Sequence, residues 1–107
     1  MSETDQNERT IKEVTVDGYN FNVDTDLLDD VEAFEYIDRI ENKGQVAAIA
    51  PLLKFMVGDQ GYTDMKAHFT QADAEAHKDE PGYKGRFRIK KLQDVYLAII
   101  EKFDPKG

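Results

Sequence analysis

From Val14 to Val23 apolar and polar residues alternate, broken only by Asp17-Gly18. Asp-Gly is favoured by two-residue hairpin turns, because both central positions take positive φ. Such a turn opposes Val16 to Tyr19 and Val14 to Phe21. Val14, Val16, Tyr19, Phe21 and Val23 then share one face, with Thr15, Asn20 and Asn22 on the other. A lone hairpin is marginal in water, so the apolar face must rest on helices.

After Asp24 the period becomes helical. Asp26 is the expected N-cap, with Asp29 and Asp30 in the first turn, and the helix is expected to run to Lys43 with Gly44 just past its end. Leu27, Val31, Phe34 and Ile37 form one stripe; Ala33, Tyr36, Ile37 and Ile40 form a second, rotated around the cylinder. Residues 46–57 carry a single charge, Lys54, which marks a central helix. Pro51 either kinks this helix or sits in its first turn. Gly58 ends it, Asp59-Gln60-Gly61 reads as a turn, and Tyr62 to Thr70 as a short helix with Tyr62, Met65 and Phe69 on one side. Residues 71–86 have no sustained apolar period and contain Pro81-Gly82 and Gly85, so a mobile loop is expected. In the last helix Ile89, Leu92, Tyr96, Ile99, Ile100 and Phe103 fall on one stripe, and Pro105 stops it. Residues 1–10, almost wholly polar, are expected to be a flexible arm. The expected fold is α+β and mostly helical: an N-terminal β-hairpin packed on a bundle of about four helices, with residues 11–107 as one globular domain.

Length and composition narrow the classes. A chain of 107 residues is too short for two ordinary cores. No apolar run is long enough for a transmembrane helix, and Met1 to Thr10 has no apolar signal region, so a cytoplasmic protein away from membranes is the default. Cysteine is absent, which excludes disulfides, thiolate metal sites and cysteine nucleophiles. The net charge of −8 disfavours nucleic acid as a partner. That charge is uneven: residues 1–64 carry a net −10 and residues 65–107 a net +2, an asymmetry suited to orienting the chain against copies of itself or a partner.

Catalytic candidates are poor. The only serine is Ser2, and His68 and His77 have no obvious orienting partner. The Asp24, Asp26, Asp29, Asp30 cluster lacks the loop pattern of a calcium site, and helix capping accounts for its first three residues more simply. No metal, cofactor or enzymatic activity is expected. Lys84, Arg86, Arg88, Lys90 and Lys91 stand out, since no acid lies between Pro81 and Gln93 and several sit where positive charge opposes the helix dipole.

The chain runs from the Asp17-Gly18 hairpin through Tyr19-Asn20-Phe21-Asn22-Val23 into Asp24-Thr25-Asp26-Leu27-Leu28-Asp29-Asp30-Val31-Glu32. Then come Val46-Ala47-Ala48-Ile49-Ala50-Pro51-Leu52-Leu53, the Gly58-Asp59-Gln60-Gly61-Tyr62 break, and Ile89-Lys90-Lys91-Leu92-Gln93-Asp94-Val95-Tyr96. In this order of elements and apolar positions, over residues 12–104, the sequence resembles the tail assembly chaperones of long-noncontractile-tailed bacteriophages and their prophages. The resemblance implies a non-enzymatic protein of the host cytoplasm, absent from the mature virion. It would coat the tape measure protein and help recruit tail tube subunits. It also implies a longer form made by ribosomal frameshifting.

For such a partner an amphipathic helix needs an apolar groove with charges at its rim. Tyr36 and Ile40, on the face turned away from Leu27 and Val31, and Phe55 on the central helix are the expected strip. Lys84, Arg86, Arg88, Lys90 and Lys91 are the expected basic rim. Two other classes stay open: an acidic decoy or anti-repressor that binds a basic DNA-binding protein, and a small enzyme using paired carboxylates.

Overall fold

Asp17 (φ 49°) and Gly18 (φ 83°) form the turn that the alternation predicts. In the computed structural model, which describes residues 10–103, β1 (Ile11–Val16) pairs antiparallel with β2 (Tyr19–Asp24). The register opposes Val14 to Phe21 and Val16 to Tyr19. Val14, Val16 and Val23 are buried, with Tyr19 and Phe21 packed at the edge of the core. On the outer face the Thr15 hydroxyl donates to Asn20 at 2.6 Å. Nine of the ten residues expected to form an arm lie outside the described residues; the tenth, Thr10, is held, its hydroxyl donating to Asp24 at 2.7 Å.

The expected continuous helix from Asp26 is instead two pieces. Thr25–Asp29 is a 3-10 turn capped by Asp24, whose carboxylate accepts from the Asp26 N–H. Asp30 is extended (φ −85°, ψ 142°), and its side chain accepts from the Glu32 N–H to start α1 (Val31–Glu41). Asp30, not Asp26, is therefore the α-helical N-cap. The break resets the helical phase. Leu28 is buried in the turn, while in α1 the inward face is Ala33, Tyr36, Ile37 and Ile40. Val31 and Phe34, expected to point inward with Leu27, are 68% and 66% exposed. α1 ends two residues short of Lys43.

A short 3-10 turn (Val46–Ala48) leads into α2 (Ile49–Ala76), which puts Pro51 in the first turn, where its missing N–H is harmless. Ile49, Leu52, Leu53 and Met56 are buried, the centre of the core. Gly58 breaks α2 into two limbs with φ 83° and ψ 161°, a conformation that side-chain-bearing residues avoid. The second limb starts at once and runs to Ala76, so Asp59-Gln60-Gly61 is helical rather than a turn. Gln71–Ala76, expected to be loop, is helical too, because its three alanines and Glu75 favour the helix with no need of an apolar stripe. Irregular chain follows to α3 (Ile89–Phe103). Val95, Tyr96 and Ile99 of α3 are buried against β1. Ile89 shares the stripe by angle but is 67% exposed: as the first helical residue it points back beyond the covered surface. The expected stop at Pro105 lies outside the described residues.

The protein is thus α+β and mostly helical, with a two-stranded hairpin resting on α2 and α3, and α1 packed on α2. The body measures 57 × 32 × 25 Å, with a radius of gyration of 15.4 Å, against about 13 Å for a compact domain of 100 residues. An elongated body offers more surface per buried residue.

One hydrogen bond ties the C-terminal end of α1 to the middle of α3. Tyr96, 3% exposed, donates its hydroxyl to Glu41 at 2.6 Å. Burial first, and the Glu41 carboxylate second, push the phenol well above the ordinary tyrosine value. The folded chain then holds this proton more tightly than the unfolded chain. The resulting stability is complete below about pH 10 and is lost as pH rises from there toward the raised folded value. Tyr96→Phe should lower stability at neutral pH by about 1 kcal/mol and make the alkaline decline shallower. Urea unfolding at neutral and alkaline pH measures both; curves parallel at every pH would contradict this assignment.

Candidate functional site

Tyr36 and Phe55 line the same groove, of about 270 Å³, together with Glu32, Pro51, Lys54 and Asp59, between α1 and the first limb of α2. Neither is freely exposed: both pack against the core, and Ile40 packs there outside the groove. The Tyr36 hydroxyl donates to Glu32 at 3.2 Å, and the Arg39 guanidinium lies 5.8 Å from its ring centre. The expected strip is thus largely turned inward. The phase reset at Asp30 brings the other face of α1 to the surface instead, with Val31 and Phe34 uncovered. Three residues apart, they sit side by side on one helix face. Phe34 borders a second groove with Glu35, Asp38, Arg39 and Lys43. The sequence signal for this reset is the Asp29-Asp30 pair just before the periodic run, either residue of which is a good cap. Leu97 is likewise uncovered, 60% exposed on the outer side of α3.

The basic residues line none of the groove at Tyr36 and Phe55. Arg86, Arg88 and Lys91 instead surround a cleft of about 210 Å³ between the hairpin turn, the second limb of α2 and the start of α3. Phe69 and Ala72 supply its apolar lining, with Asp17, His68 and Asp73 at its edges. Lys84 faces a second, wider depression over Pro81 and Gly82, which Arg86 also borders. Lys90 pairs with Asp94 at 3.4 Å.

Asp73, unremarked in the sequence, organises this region. The Tyr83 hydroxyl donates to it at 2.5 Å, the Arg86 N–H at 3.0 Å and the Arg88 Nε at 3.4 Å. The Tyr83 hydroxyl above all, then the Arg86 N–H and the Arg88 charge, hold the Asp73 carboxyl below its usual range despite partial desolvation. Reciprocally, the Asp73 hydrogen bond raises the Tyr83 phenol, and the Asp73 charge raises Arg88. Arg88 also donates to the Tyr83 hydroxyl, and His77 stacks on the Tyr83 ring with centroids 4.3 Å apart. The segment expected to be a mobile loop is therefore pinned to α2 by one carboxylate. Gly85 makes this approach sterically feasible, as a Cβ at this position would run into the Thr70 carbonyl and Ala74.

Lys91 pairs with Asp17 at the hairpin turn and lies 5.7 Å from the Phe69 ring centre. Arg86 differs from its neighbours. Its guanidinium lies 5.4 Å from the Tyr83 ring centre and has no carboxylate partner among the described residues. His68 lies on Tyr19, ring centroids 4.5 Å apart.

Among the described residues no three His, Asp or Glu side chains converge as metal ligands, and no helix is long and apolar enough to cross a membrane. No family profile, curated protein or solved structure matches the chain.

Proposed function

We propose that the chain is a non-enzymatic phage tail assembly chaperone, which holds an amphipathic helix of a tape measure protein and helps recruit tail tube subunits in the host cytoplasm. The order of elements that prompted the resemblance supports this reading. The observation that carries it is the pair Val31 and Phe34, both about two-thirds exposed on one face of α1. Leaving a phenylalanine and a valine side by side in water is costly unless something covers them. An amphipathic helix laid along α1 would cover them, with its polar residues meeting Glu35, Asp38, Arg39 and Lys43 beside Phe34. Such docking needs no chemistry from the chain.

Co-expression with the tape measure protein of the same genome tests the proposal. Expressed alone, the tape measure protein should be insoluble; with this chain it should become soluble and co-purify. A tape measure protein that stays insoluble at equal levels of the chain would overturn the reading.

A further inference from the structure

The cleft at Arg86 differs in sign from the molecule around it. The chain carries a net −8, yet the cleft holds three permanent cations against two carboxylates. Asp73 takes up Arg88, and Asp17 takes up Lys91. What is left among the described residues is a single uncompensated guanidinium, Arg86, in a cleft whose apolar lining is Phe69 and Ala72.

We propose that this cleft receives the carboxylate of a single glutamate side chain from an acidic protein segment. The charge count favours a monoanion, since one free cation balances one carboxylate, and a phosphate dianion would be left half-neutralised beside Asp17 and Asp73. The −8 field of the whole chain disfavours a polyanion further. The lining suits a glutamate: its methylenes lie on Phe69 and Ala72, and its two oxygens face the planar donor fork of Arg86. The size fits as well, for about 210 Å³ admits one side chain and excludes a whole helix about 10 Å across. Because the stacked Tyr83 ring steadies Arg86 from one side, the donor fork is partly set before the ligand arrives. This site is distinct from the α1 face, and it rests on the cleft alone.

The test uses the uniformly ¹⁵N-labelled full chain. Acetyl-Ala-Glu-Ala-amide should shift the Arg86 Nε–H and the Ala72 amide saturably, with a dissociation constant in the millimolar range (about 1–10 mM). The glutamine counterpart should not, and inorganic phosphate should bind more weakly than the glutamate peptide. Arg86→Gln should weaken binding at least tenfold, and Ala72→Leu, which fills the cleft without touching a charge, should do the same. Both variants should melt as the wild type does, since neither Ala72 nor the Arg86 side chain is buried. Equal shifts with the glutamine peptide, tighter binding of phosphate, unchanged affinity in well-folded Arg86→Gln, or shifts spread evenly over Lys12, Arg39, Lys54 and Lys66 would each overturn the proposal.

Discussion

Gly85→Ala should be among the most damaging single-methyl changes in the chain. A Cβ at Gly85 would stand 2.0 Å from the Thr70 carbonyl oxygen, 2.9 Å from the Ala74 Cβ and 3.0 Å from the Ala74 nitrogen. Two of those atoms are helix backbone and cannot step aside. Gly85 is not in the left-handed region, so with room to spare the same change would stabilise the chain by about 0.4–1 kcal/mol through the unfolded state. Sterics reverse that sign. The segment must lift from α2, and the bonds of Asp73 to Tyr83, Arg86 and Arg88 go with it. Overpacking of this kind costs about 1–3 kcal/mol, which for a chain this size lowers Tm by about 4–8 °C per kcal/mol. Calorimetry measures the drop, and the Arg86 cleft should vanish with it. A Gly85→Ala protein that melts at or above the wild-type temperature would show that the segment does not dock as described.

Val31→Gln combined with Phe34→Gln should separate stability from binding. Both side chains are mostly in water, so their loss should change folding free energy by no more than about 0.5 kcal/mol. At an interface, a central anchor is worth about 2 kcal/mol or more on truncation, roughly thirtyfold in affinity. The double variant should therefore fold normally and fail to keep the tape measure protein soluble. Tyr36→Ala with Ile40→Ala should behave in the opposite manner. Those residues pack against the core, so the variant should lose stability first, and binding only as a consequence. Denaturant unfolding and co-purification of both pairs separate the two outcomes. Should the glutamine pair bind as wild type, the docking face lies elsewhere.

Much of the fold was legible because local and tertiary signals agreed. The Asp17-Gly18 turn set the hairpin register, and the inward face of α3 followed from its stripe. Gly58 marked a real break because its backbone conformation is closed to other residues. Elsewhere two signals competed. A helix read straight through Asp30 joins Leu27, Val31 and Phe34 into one inward stripe. Capping at Asp30 restarts the helix at a new phase, and that rotation exchanges the buried and exposed faces of α1. Apolar periodicity is silent about a helix that buries little, so by that signal Gln71–Ala76 reads as loop. Alanine and glutamate form the helix on propensity, and its reward is to carry Asp73 to Tyr83. The basic segment was legible as a cluster, but its arrangement was not. Asp17 and Asp73, far from it along the chain, decide which cations are spent and which one remains. Separations of 74 residues (Asp17 to Lys91) and 15 (Asp73 to Arg88) leave no local pattern to find.

On the proposed function, a helical partner covers the outer face of α1. Cross-saturation from an unlabelled tape measure segment to the methyl-labelled chain tests it in the intact complex. The predicted result is strong attenuation of the Val31 methyls, with the buried methyls of Val14, Leu53 and Val95 unaffected. Attenuation that spares Val31 and falls on other surface methyls, such as Leu97 alone, would place the partner on a different face and overturn the α1 docking.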